Sequence, residues 1–433
     1  MSLYDKMGLL ITPNGVAPGK IFAYKPTNGS GDGVFDRNTT ATRVNSAGLI
    51  EDVAIDMARI DYPTNGSCPH LLFESQSTNL VTYSEGFSQW ATIQNVTVID
   101  NNAISPNGTL NASKITETTS NSVHRLFQNS TVSNNRHTFS VFAKKGTRDW
   151  IYLRLDGNGA SRTWFDLDNG IIGTVDSDHI AEIKDFGNGW YRCTVTIKGN
   201  VFDTTPLGII AITTSDNVQV YAGDTSKYIY VYGAQLEQLP YATSYIPTNG
   251  SAVTRVQDVA TDFGDVNSFN SEEGVLFVEM AALHDSSFNR WLSISDGGFS
   301  NYIQVYFRDN GRIIFNIITN GVIQNNFVYS LITSGKLVTD MNKYAFKWKE
   351  NDLALWVNGV EVLTDLVANV PNPNTFNKFS FSAPTDSNVT LSKVKQVQVY
   401  KEALTDLELE YLTTYATFPD LANANNYNLI LNT

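Results

Sequence analysis

At 433 residues the chain exceeds what one ordinary hydrophobic core serves, so two or three domains are expected. Aromatic residues at 12% and charged residues at only 17%, with abundant Gly, Asn, Thr and Ser, indicate β structure with many turns. A net charge of −13 argues against a nucleic-acid backbone as partner, because that binding needs clustered Lys and Arg.

Cys68 and Cys193 are the only cysteines, which rules out a disulfide framework or a Cys-rich zinc site and leaves two free thiols. The five histidines stand far apart, without the paired spacing of a metal-binding helix. No metal and no cofactor is expected. The first residues, MSLYDKMGLLITPNGV, lack the basic start and apolar run of a signal peptide, and no segment reaches the roughly 20 apolar residues of a membrane span. Synthesis in a cytoplasm without membrane insertion is the expectation.

Residues 1–80 hold short apolar runs cut by Pro13, Pro18, Pro26, Pro63 and Pro69, the pattern of an irregular arm that packs on a neighbour. From 81 to 245 the period of two is strong. Strands are predicted at 137–143, 148–155, 162–167, 190–197, 207–213 and 228–236, with DGNGAS at 156–161 closing a hairpin. Antiparallel strands of this kind cover their faces as a sandwich or jelly roll.

Parity sorts the side chains. Ile151, Leu153, Leu155, Phe165, Leu167, Tyr191, Cys193, Val195, Ile197, Ile229 and Val231 form the apolar set assigned to the core. The opposite set holds Trp150, Tyr152, Arg154, Arg162, Trp164, Asp166, Trp190, Arg192, Tyr228, Tyr230 and Tyr232. Flat rings beside guanidinium and carboxylate groups suit a sugar, whose C–H face stacks on a ring while its hydroxyls take polar partners. Trp150, Tyr152, Arg154, Trp164, Asp166, Trp190 and Arg192 are therefore the glycan-binding candidates. The same composition also marks subunit interfaces, and both readings stay open.

Residues 246–264 read as a connector, broken by Pro247 and the Asn249-Gly250 turn. PTNGS occurs at 26–30, 63–67 and 247–251, followed in the first and last cases by TRV and DVA, without the fixed period of a solenoid. Beyond it, runs such as GVLFVEMAAL at 274–283, RIIFNIIT at 312–319 and LALWVNGVEV at 353–362 predict a second sandwich over 265–415, complete in itself. A short helix follows its last strand, with Thr405 as N-cap and Glu408 completing a capping box. Asp285, Asp296 and Asp309 fall in loops without calcium-ligand spacing, and residues 416–433 form a polar tail.

Several blocks carry a resemblance. GAQLEQLPYATSYIPTNGSAVTR at 233–255 resembles the segment closing a carbohydrate-binding-module-like jelly roll in structural and tail proteins of tailed bacteriophages. Residues 3–51 resemble the N-terminal portion of virion proteins from phages of Bacteroidetes-type hosts, and 71–90 the entry to the jelly roll. KYAFKWKENDLALWVNGVEV at 343–362 and VQVYKEALTDLELEYL at 397–412 resemble laminin-G-like or concanavalin A-like domains. The resemblance implies an all-β virion protein with two antiparallel sandwiches, attached to other virion proteins through the arm and adhering to host-surface polysaccharide. A homo-oligomer, with a trimer favoured, is expected from the arm and the aromatic face. With no nucleophile elbow, phosphate loop or paired glycosidase carboxylates in view, the expectation is a protein that is not an enzyme, with no catalytic residue. A purely structural role and a polysaccharide depolymerase are the alternatives.

Overall fold

A computed structural model describes residues 2–128, 135–155, 161–199, 208–285 and 290–414. Within them the chain is built from antiparallel sheets stacked as two sandwiches, with two short α-helices. The tail at 416–433 and most of the hairpin loop at 156–160 lie outside the described residues.

The first sandwich packs two six-stranded sheets. One runs in the order Thr92–Gln94, His124–Phe127, Ile209–Thr213, Trp150–Arg154, Arg162–Asp166, Ile171–Val175. The other runs Val96–Ile104, Leu110–Glu117, Tyr228–Glu237, Thr138–Lys145, Trp190–Ile197, His179–Asp185. Between them lies the core that parity assigned, with Ile151, Leu153, Phe165, Cys193, Val195 and Ile229 all inaccessible and Tyr191 packed at its edge. Burial this complete stabilises each large aliphatic or aromatic side chain by about 1.5–3 kcal/mol.

The second sandwich sets a five-stranded sheet against an eight-stranded one. Its hairpin between Leu353–Val357 and Val360–Asp365 turns through Asn358 and Gly359 at φ 49° and 88°, the left-handed pair that a two-residue turn requires. The helix Asp406–Thr414 starts from the expected cap. Thr405 N donates to Glu408 Oε2 at 3.0 Å, and the helix's apolar side lies on the outer face of the eight-stranded sheet.

The N-terminal segment is not a separate arm. Met7–Ile11 and His70–Phe73 both pair with Ser392–Tyr400, and Arg59–Asp61 extends the same sheet, so residues before 80 complete the second sandwich. Leu9, Ile11, Leu71 and Phe73 belong to its core. The expectation that 265–415 is complete in itself is thereby corrected: the strand at its edge takes its partners from the chain's beginning.

The connector is likewise stitched back. Val253–Arg255 pairs with Ser77–Asn79, and Val259–Thr261 with Gly33–Asp36. In all three PTNGS copies the glycine takes positive φ, 86°, 76° and 95° at Gly29, Gly66 and Gly250. In the first two, Asn28 and Asn65 accept the N–H of the serine two residues on, the usual Asx turn.

Candidate functional site

The outward set named from parity divides between two sheets. Trp150, Tyr152, Arg154, Trp164 and Asp166 belong to one sheet of the first sandwich, Trp190 and Arg192 to the other, so the seven side chains do not share a face. On the first sheet, the segment after Thr213 crosses over the rings. Trp164 Nε1 donates to Val218 O at 3.1 Å, and Asp216 accepts from Thr174 N at 2.7 Å. Tyr152 and Trp164 are left 1% and 4% exposed, and Asp166 spends its carboxylate on the turn, accepting from Asp168 N and Asn169 Nδ2. Trp150 and Arg154 remain half-buried. On the second sheet Trp190 is 2% exposed, packed among Ile50, Phe142, Tyr232 and Tyr245. Rings covered in this way have no free face on which a sugar can stack.

Arg192 leads elsewhere. It lines a cleft of about 350 Å³ where the outer faces of the two sandwiches meet. The first sandwich contributes Lys184, opposite Arg192 in the ladder, together with Glu182, Thr194 and Phe186. The second contributes Ala281, Leu283, Lys393 and Lys395, and His70 from the N-terminal strand added to its sheet. Tyr241–Tyr245, at the end of the first sandwich, and Thr42–Val44 of the N-terminal segment close the sides.

The back of the cleft is a buried ionic cluster that the sequence reading did not single out. Arg59, wholly inaccessible, donates from Nη1 to Glu74 Oε2 at 2.6 Å and to Ser244 Oγ at 2.7 Å, and from Nη2 to Asp258. Arg37 Nη1 donates to the other oxygen of Asp258 at 3.1 Å, and Arg255 Nη2 lies 3.3 Å from Glu74 Oε2. Glu74 also accepts Ser244 N at 2.7 Å. Burial alone would raise the Glu74 pKa, but Arg59, Arg255 and Ser244 outweigh it and hold the carboxyl far below the usual range. Arg37, Arg59 and Glu74 come from the N-terminal segment, Ser244 from the end of the first sandwich, and Arg255 and Asp258 from the connector. The only sequence trace of this cluster is the repeated TRV and DVA, whose second copy supplies Arg255 and Asp258.

Facing the cleft, the charges are less well matched. Arg192 donates to Thr243 O at 2.7 Å and to Ser140 Oγ at 2.9 Å, and Lys395 lies 3.6 Å from Glu279. Among the described residues, no carboxylate comes within 4.0 Å of the Lys184 or Lys393 ammonium. Burial first, and then Lys393, lower the Lys184 pKa against the weaker pull of Asp61 and Glu182. His70, 4% exposed, has its Nε2 3.3 Å from Asp61 Oδ2, yet neither ring nitrogen makes an aligned hydrogen bond. Its pKa is lowered by burial, which exceeds the opposing effect of Asp61, so the ring is neutral near pH 7.

The loop carboxylates considered for calcium are engaged in turns. Asp296 accepts from Gly298 N and Asn301 Nδ2, Asp285 from Gly311 N, and Asp309 pairs with Arg312.

No family model matches the chain. A 64-residue stretch, 15% of the chain, is 41% identical to a β-glucanase of Brevibacillus brevis and spans 24% of that enzyme's length. Solved structures of similar fold include the CBM40 module of Ruminococcus gnavus IT-sialidase bound to α2,3-sialyllactose. It is 18% identical, with a TM-score of 0.28 over 33% of this chain and 83% of that one. Another is the Bacillus licheniformis β-glucanase, 17% identical, with a TM-score of 0.26 over 34% of this chain and 73% of that one. The expectation that the protein is not an enzyme is corrected by the first of these matches, since the proteins it resembles include a glycoside hydrolase.

Proposed function

We propose that the chain recognises a glycan at the surface of a bacteriophage host, and that the saccharide occupies the cleft between the two sandwiches. The observation that carries this reading is the cleft itself. It is large enough for a small oligosaccharide and combines half-buried Phe186, Tyr241 and Leu283 with the hydroxyls of Ser67, Thr194 and Thr339. Sugars need both kinds of surface together. The virion part rests on the resemblance of residues 3–51, 71–90 and 233–255 to phage structural and tail proteins. On this reading the protein is made in the host cytoplasm, assembles as a homotrimer, and meets other virion proteins through its N-terminal segment.

The test is binding of the full-length chain to host surface polysaccharide, compared with an Ala242→Trp variant that fills the cleft from the side closed by Tyr241–Tyr245. Wild-type binding that the variant loses, with its melting temperature kept, supports the reading; equal binding by both sinks the cleft as the site. A second reading is favoured by the 64-residue match to a β-glucanase, namely that the bound polysaccharide is also cleaved. Release of new reducing ends during the same incubation distinguishes the two.

A further inference from the structure

The cleft carries more chemistry than a neutral sugar needs. Lys184 on one wall and Lys393 on the other are half-buried and line the same cleft, Lys393 lies close enough to lower the Lys184 pKa, and neither has a carboxylate within 4.0 Å among the described residues. Arg192 stands beside Lys184 in the ladder, and His70 adds two ring nitrogens without aligned partners in a side chain 5% exposed. Two carboxylates, Asp61 and Glu182, also face Lys184. Asp61 accepts Val44 N at 2.8 Å and is held below the usual carboxylate range, against burial, chiefly by His70. Glu182 is exposed at the rim. Like charges held together out of bulk water are costly unless an anion enters between them. The volume of about 350 Å³ is much more than a lone sulfate or carboxylate would occupy, and the remaining lining is ring, aliphatic and hydroxyl surface.

We infer that the ligand of this cleft is an acidic saccharide, a hexuronate-containing oligosaccharide whose carboxylate sits between Lys184 and Lys393, with His70 donating a further hydrogen bond. The inference rests on the proposed saccharide cleft and names its substrate class. The neutral part of the chain lies against Phe186 and Tyr241, and Glu182 accepts from hydroxyls at the rim.

The experiment is calorimetric titration of the full-length protein with α-1,4-linked trigalacturonate, a neutral cellotriose and sodium sulfate, at low salt and at 0.3 M salt. Lys184→Gln and Lys393→Gln are both compared with the parent. Each substitution removes a like-charge contact, so both variants are expected to keep the parent melting temperature, and the pair guards against one failing to fold. Trigalacturonate should bind, lose at least tenfold affinity in either variant, and weaken with salt, while cellotriose binds at least tenfold less tightly. Unchanged affinity in both variants overturns the inference. Sulfate binding as tightly as trigalacturonate also overturns it, as an anion site only. Cellotriose binding that Ala242→Trp abolishes and Lys184→Gln leaves alone overturns the acidic-sugar inference yet keeps the cleft as a saccharide site. No binding by either saccharide removes both.

Discussion

Glu74→Gln tests the buried cluster behind the cleft. The cluster joins three guanidiniums, Arg37, Arg59 and Arg255, to two carboxylates, Glu74 and Asp258, and all five side chains are at most 4% exposed. Removing Glu74's charge leaves three buried cations with one buried anion, and an amide cannot accept at both oxygens from Arg59 and Ser244 as the carboxylate does. Breaking a buried pair from one side costs about 3–5 kcal/mol, against a typical total stability of about 5–15 kcal/mol. The pH dependence is a second signature. Because the folded-state pKa of Glu74 lies well below its ordinary value of 4.5, the carboxylate's contribution is fully present above pH 4.5 and is lost as pH falls. Its upper limit is about 1.4 kcal/mol per pH unit, so the gap between parent and variant should shrink by about 2 kcal/mol from pH 4.5 to pH 3. Urea unfolding of both proteins at pH 7, 4.5 and 3 measures this. A difference below 1 kcal/mol at pH 7, or one that does not change with pH, would refute the electrostatic account.

Other outcomes follow from single contacts. Trp164→Ala should cost about 3–5 kcal/mol in unfolding free energy, since it empties a buried ring site and removes one of the two donors to Val218 O, and should leave saccharide affinity unchanged. Loss of binding at unchanged stability would return the ring to the list of glycan contacts. Gly359→Ala places a Cβ 2.3 Å from Thr414 Oγ1 at a residue with φ 88°, so a loss of at least about 1–2 kcal/mol is expected by thermal melting. A fragment of residues 265–415 lacks Leu9, Ile11, Leu71 and Phe73 from its core, at about 1.5–3 kcal/mol each. That sum is comparable with a whole domain's stability. Calorimetry should show no cooperative transition for the fragment, and one for the full chain.

Strand parity made the first sandwich's interior legible, because in the strands predicted at 148–155, 162–167, 190–197 and 228–236 one face is apolar and the other mixes rings with polar groups. It could not show which outward residues are neighbours. Trp164 and Trp190 are both outward by parity, yet a sandwich has two outer faces and they stand on opposite ones. Nor does outward mean exposed: Trp190 is sealed by Ile50 and Tyr245, both distant in sequence. The strand Val322–Ser330 is hidden in the sequence for a related reason, since Gln324, Asn325 and Asn326 interrupt its alternation at a sheet edge and Phe327 is its one buried side chain. In residues 1–80 the strands are two to five residues long, too short for periodicity to register, and Met7–Ile11 and His70–Phe73 are completed by Ser392–Tyr400, far away in sequence.

The cleft was illegible for the same physical reason that it exists. Lys184 and Lys393 are separated by the whole second half of the first sandwich, the connector and most of the second sandwich, and nothing local in either segment marks a site. What sets them face to face is the N-terminal segment, which pairs with Ser392–Tyr400 of the second sandwich, carries Glu74 just past that strand, and delivers Arg59 both to Glu74 and to Ser244 at the end of the first sandwich. Two sandwiches joined by one connector would be free to rotate. Here three chain segments converge on one ionic cluster, and rotation would part buried guanidiniums from their carboxylates at several kcal/mol for each broken pair. The cluster therefore sets the distance across the cleft between the wall that carries Lys184 and the wall that carries Lys393.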